Sequence, residues 1–150
     1  MENILKICLA KKVLIFYAVL APFIIFGSLY NLIQGVILHA TPTYRVGLFS
    51  LLGFVVMPFL LIVTYVKNKS VITSDRMVIG KTEYKFSDYD FQIREKELPL
   101  KDRPLTSLLK KNYHDLVIKQ LNTNTIVLEQ PLDIFQKDLE HMRSALPLRA

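Results

Sequence analysis

The stretch VLIFYAVLAPFIIFGSLYNLIQGVIL, Val13 to Leu38, runs for 26 residues without a Lys, Arg, Asp or Glu. A second stretch, Val46 to Val66, adds 21 residues without a charge. An α-helix rises about 1.5 Å per residue and a bilayer's hydrocarbon core is about 30 Å thick, so either stretch is long enough to span it. The first has length to spare for tilt. From Lys67 on the chain turns polar. The expected organisation is an interfacial N-terminal segment (1–12), a transmembrane helical hairpin (13–66) and a small α+β cytoplasmic domain (67–150).

Composition narrows the function. The mean hydropathy of +0.31 averages an apolar block and a polar one. A single cysteine, Cys8, excludes an internal disulfide framework and a thiolate-rich metal site, and reads as a small apolar side chain near the interface. The net charge of +6 divides evenly, +3 on residues 1–66 and +3 on 67–150. No dense Lys/Arg stripe with interleaved aromatics accompanies it, so nucleic acid is not an expected partner. The first apolar stretch is roughly twice the ~7–15 residues of a signal-peptide core, and is expected to stay in the protein.

Lys and Arg near the ends of the spans set the topology. Lys6, Lys11 and Lys12 precede the first span; Lys67, Lys69 and Arg76 follow the second; the connecting segment holds only Arg45. This pattern predicts a multi-pass protein of the cell inner membrane with both termini cytoplasmic. Lys6, Lys11, Lys12, Lys67 and Lys69 are candidate contacts for anionic lipid, and residues 2–12 read as a short helix on the inner leaflet. Tyr17, Tyr44 and Tyr65 fall near the expected interfaces. Pro22 and Pro58 lie inside the spans, where a missing backbone donor is tolerated if neighbours satisfy the freed carbonyl.

Small and amide residues mark a candidate packing face. Gly27, Asn31 and Gly35 recur every four residues, with Ser28 and Gln34 beside them; Gly47, Ser50 and Gly53 recur every three. Such strips let helix backbones approach, and amides hydrogen-bond across the contact. They serve either to join the two spans or to receive a partner's helices. No Lys, His or carboxylate sits in either span, which argues against a proton relay or transporter.

Beyond Ser70 the periodicity becomes that of strands. Val71–Thr73, Met77–Ile79, Thr82–Phe86, Tyr89–Ile93, Leu116–Leu121 and Thr125–Leu128 are the expected strands, with Asn122–Asn124 a hairpin turn. Leu98–Pro104 is a Pro-bounded connection, and Leu105–Lys111 fits either a short helix or a strand. After Pro131 the spacing of Leu132, Phe135, Leu139, Met142 and Leu146 predicts an amphipathic helix ended by Pro147.

This layout, with Val71-Ile72-Thr73-Ser74-Asp75-Arg76-Met77-Val78-Ile79 close behind two spans, resembles the bacterial PH-like (bPH) membrane proteins. In these a strand of the form hydrophobic–Thr–x–Asp–Arg–hydrophobic follows the hairpin. The resemblance implies a curled antiparallel sheet capped by the C-terminal helix.

The residues offer little chemistry. His39, His114 and His141 stand in three different settings, and the alternating Asp88 and Asp90 read as a solvated face beside Lys85 and Arg94. Neither a phosphate loop nor a nucleophile elbow occurs, so neither a cofactor nor catalysis is expected. The expected function is a non-catalytic accessory or scaffold subunit of an inner-membrane complex. Its partners would be membrane lipids and a larger membrane protein or a second copy. The alternative is an inner-membrane immunity protein that neutralises a toxin.

Overall fold

The computed structural model describes residues 5–40 and 42–148. Residues 1–4 of the expected N-terminal segment, Thr41 of the connecting loop and the last two residues lie outside that range. The chain divides into two compact units. One is the helical hairpin, Val13–Tyr65; the other joins the N-terminal residues up to Lys12 with everything from Val66 on.

The hairpin unit consists of α1 (Lys11–Leu32), continued by a π-helical turn at Ile33–Ile37, and a returning helix in two pieces. These are α2 (Thr43–Leu51) and α3 (Met57–Asn68), joined without a break through a π-helical turn at Leu52–Val56. That turn lies directly ahead of Pro58. A proline has no N–H to donate and its ring crowds the carbonyl four residues back, which widens the helix at that point. Two helices, Lys11–Ile37 and Thr43–Asn68, are long and apolar enough to cross a membrane.

Among the described residues the second unit carries seven strands in two antiparallel sheets. The first sheet has the order β1 (Leu5–Cys8), β2 (Lys69–Ile72), β3 (Arg76–Ile79), β4 (Thr82–Lys85). The second has the order β5 (Tyr89–Glu97), β6 (Asn112–Gln120), β7 (Ile126–Leu132). The sequence reading anticipated six of these strands, in one curled sheet; two sheets are present, and the change occurs at the tight turn Phe86–Asp88.

The seventh strand is a correction. Residues 5–8 form β1, not the expected interfacial helix, and pair with β2 from Leu5↔Ile72 to Cys8↔Lys69. Leu5, Ile7 and Leu9 alternate with Lys6 and Cys8, and Ile7 and Leu9 are buried. The unit therefore gathers chain from both sides of the hairpin, and does not begin at Lys67.

Local chemistry explains the turns. Thr73 N–H donates to the Arg76 carbonyl at 2.9 Å, and the Thr73 hydroxyl lies 2.9 Å from Asp75 Oδ1. Arg76 reaches Glu83 across the β3–β4 pair at 2.9 Å. The Thr-x-Asp-Arg pattern is thus the clamp of the β2–β3 hairpin. Gly80 turns β3 into β4 at φ +61°, and a Cβ there would crowd the Lys67 carbonyl. Asn124 takes φ +53° in the β6–β7 turn, the left-handed geometry that Asn tolerates. Pro131 lies in β7, an outer strand of its sheet, where a missing donor is accommodated.

Both sheets and α4 (Gln136–Ala145) enclose one core, centred on Ile72, Met77, Phe91, Leu116, Ile118 and Met142. Leu132, Leu139, Met142 and Leu146 of the expected apolar stripe are buried in it. Phe135 is not. It is the residue before the helix, in extended conformation, so its side chain leaves the stripe; buried Ile134 takes the inward place. Leu139→Ala should therefore destabilise this unit by about 2–5 kcal/mol, and Phe135→Ala by no more than about 1 kcal/mol. Limited proteolysis of the full chain in detergent against temperature would read the difference as a much larger fall in midpoint for Leu139→Ala than for Phe135→Ala.

Candidate functional site

Within the hairpin, the seam is narrow and made by small side chains. Its buried residues include Ala21, Ser28, Gly53 and Met57. The Ser28 hydroxyl lies 2.7 Å from the Ile24 carbonyl oxygen one turn back and 2.7 Å from that of Phe49 on the returning helix. A Cβ on Gly53 would land on that hydroxyl, and a Cβ on Gly35 would collide with Val46. Gly27 and Gly47, in contrast, have open space where a Cβ would be. Asn31 Nδ2 turns back to the Gly27 carbonyl at 2.9 Å, and Gln34 Nε2 to the Tyr30 hydroxyl at 3.1 Å. Both amides bond within their own helix. Ser50 Oγ is buried with no hydrogen-bond partner among the described residues. Of the candidate packing residues, Gly35 and Gly53 meet the facing helix, and Ser28, read only as a neighbour of the strip, is the polar centre of the seam.

In the other unit the candidate lipid contacts divide. Lys6, Lys67 and Lys69 are exposed. Lys11 and Lys12 turn onto the unit itself. Lys11 Nζ pairs with Asp138 Oδ2 at 2.8 Å, and Lys12 Nζ donates to Ser107 Oγ at 3.3 Å. Both ammonium groups stand over the Phe135 ring, 5.7 and 5.6 Å from its centroid. The backbone is pinned at the same place: Lys12 N–H donates to the Asp133 carbonyl at 3.0 Å, and Asp133 N–H to the Leu9 carbonyl at 2.9 Å. Burial pushes the Cys8 thiol up, which favours its protonated form.

Asp133 also anchors the long connection between β5 and β6. Thr106 Oγ1 donates to Asp133 Oδ2 at 2.9 Å and Ser107 Oγ to Oδ1 at 3.3 Å. The Tyr113 hydroxyl lies 2.6 Å from the Ser107 carbonyl oxygen. Of Leu105–Lys111, read as either a short helix or a strand, Leu105–Ser107 is a single 3₁₀ turn. Where this connection meets α4 there is an open groove of about 550 Å³, lined by Lys110, Lys111, His114 and Arg143 with one carboxylate, Glu95. Asn112 Nδ2 occupies that carboxylate at 2.7 Å. The groove therefore presents positive charge.

Asp88 and Asp90, read as a solvated face, are separately engaged. Asp88 accepts from the Ser87 hydroxyl at 2.8 Å, and Asp90 from Gln92 Nε2 at 3.0 Å. Among the described residues no three His, Cys, Asp or Glu side chains gather as metal ligands. No protein-family model, curated protein or solved structure matches this chain.

Two predictions arise from this geometry. Gly53→Leu should destabilise the hairpin by about 1–3 kcal/mol because the added side chain must displace Ser28, whereas Gly27→Leu should leave it unchanged. Thermal unfolding of the purified chain in detergent would separate the two. The second concerns His114, whose pKa burial pushes down; Arg143 and Lys110 add to this, against Glu95 and Asp115. The unfolded chain then takes up the proton first, at its ordinary value near 6.5. The contribution to stability is complete above that value and is lost as pH falls below it toward the folded-state value. Proteolysis midpoints at about pH 7.5 and about pH 5.5 should differ less for His114→Gln than for the parent chain.

Proposed function

We propose that this chain is an integral protein of a bacterial inner membrane whose hairpin spans the bilayer and whose sheet unit lies in the cytoplasm. The observation that carries this reading is the outward face of the hairpin. Phe23 and Phe26 are 73% and 69% exposed, in company with Phe59, Ile62, Val19 and Ile37. A soluble protein rarely leaves so broad an apolar surface uncovered, and lipid is the solvent that suits it. The pairing of β1 with β2 supports an even number of crossings, since the chain must return to the side from which it left. The division into four and three strands followed by a C-terminal helix supports the PH-like reading of the cytoplasmic unit.

Its role on this reading is that of a non-catalytic accessory or scaffold subunit. The hairpin packs beside the helices of a larger membrane protein, and the cytoplasmic unit binds a partner protein. The outer strand β7 supports such binding, because it carries exposed Ile126 and Val127 along an edge open to a further strand.

A reporter active only in the periplasm tests the topology. Fused after Ala150 it should be silent, and inserted at Thr43 it should be active. The reverse pattern ends the reading.

A further inference from the structure

The connection between β5 and β6 is built inside out. Three of its polar side chains turn onto the protein: Thr106 and Ser107 bond to Asp133, and Arg103 donates to the carbonyls of Leu98 at 3.0 Å and Leu108 at 3.1 Å. Its leucines other than half-buried Leu98 point outward. Leu105 is 79% exposed, Leu109 fully exposed, and Leu100 stands out beside them. Two 3₁₀ turns, at Leu100–Asp102 and Leu105–Ser107, follow Pro99 and Pro104, and they hold the leucines in that attitude. A flexible loop in water would fold its leucines under; this one is braced so that it does not.

We infer that the 98–111 connection is a lipid-contacting element, which lays Leu105 and Leu109 into the cytoplasmic leaflet of an anionic membrane. This rests on the membrane reading of the hairpin. Two features select lipid as the occupant. Lys101, Lys110 and Lys111 are exposed around the leucines with Asp102 as the one acidic residue of the segment, the charge that complements anionic headgroups. The connection is also tied through Ser107 to Lys12, the residue that immediately precedes the uncharged stretch starting at Val13. The leucines are thus fixed to the point of the chain that must itself lie at the membrane surface. Because the segment is already ordered, contact with lipid costs little further ordering.

The test uses the full chain carrying Cys8→Ala and one new cysteine labelled with an environment-sensitive fluorophore. The protein is reconstituted in phosphatidylcholine–phosphatidylglycerol vesicles with or without brominated acyl chains. Leu109→Cys and Leu105→Cys are mild substitutions, since both side chains are free of the core. Their labels should show blue-shifted emission and lose most of it to the brominated lipid, as a label at Phe26→Cys in the hairpin does. A label at Thr123→Cys, in the exposed β6–β7 turn, should keep its emission. If positions 105 and 109 behave like 123 while 26 is quenched, the connection is a water-exposed loop and the inference fails alone. If they are blue-shifted but unquenched, a protein surface covers them, and the inference also fails. If position 26 escapes quenching as well, the membrane reading fails, and the inference with it.

Discussion

The ladder between β1 and β2 is the constraint on which the rest of this chain depends. Four residues from the N-terminal side pair with four that follow the hairpin, and Leu9 N–H extends the ladder to the Asn68 carbonyl at 2.8 Å. Closing roughly 60 residues in this way would be costly for a flexible loop, though each doubling of length adds only about 0.6 kcal/mol. Here the intervening chain is two helices that fold back on each other, so much of that closure is supplied by the hairpin itself. The ladder in turn brings Ile7 and Leu9 into the same core as Met77, Leu116 and Met142. Without β1 the first sheet would have three short strands and lose two buried aliphatic side chains.

Two lysines, Lys11 and Lys12, stand in the first turn of α1. Near an anionic surface they read as headgroup contacts, yet Lys11 and Lys12 are engaged by Asp138, Ser107 and the Phe135 ring. Long amphipathic side chains lay their methylene stems along apolar surface and keep the charged end at its margin. Phe135, displaced from the helix stripe by one extended residue, supplies that surface. Lys11 and Lys12 are consequently held within the sheet unit through backbone and side chains together, and Asp133 takes part through its carbonyl on Lys12 and its carboxylate on Ser107.

The hairpin and the 98–111 connection solve opposite problems by similar means. Along the seam, Ser28 satisfies its hydroxyl on backbone carbonyls and Gly53 makes room for it, so that apolar side chains remain on the outside. In the connection, Arg103, Thr106 and Ser107 turn inward onto carbonyls and a carboxylate, again leaving leucines outside. Both invert the ordinary rule for water-exposed surfaces, in which the polar group faces the solvent.

Sequence by itself determined the local and strongly periodic features. Uncharged runs of 26 and 21 residues specify long apolar helices because hydropathy needs no knowledge of a partner. Six strands, the Asn122–Asn124 turn and the buried Leu139 and Met142 of α4 were legible for the same reason: each is written in a period of 2 or 3.6 over neighbouring residues, whereas Leu132, read into the helix, ends β7. Tertiary structure alone decided what depends on distant chain. The strand at Leu5–Cys8 is short, and its alternation of Leu5, Ile7 and Leu9 acquires meaning only when β2 arrives from beyond the hairpin. Which small residue forms the seam, Ser28 and Gly53 and not Gly27, depends on the rotation of one helix against the other, a variable that spacing within one helix does not contain. The outward leucines of the 98–111 connection were likewise hidden, because composition places apolar residues inside by default, and only the bonds to Asp133 and the Arg103 clamp reverse that placement.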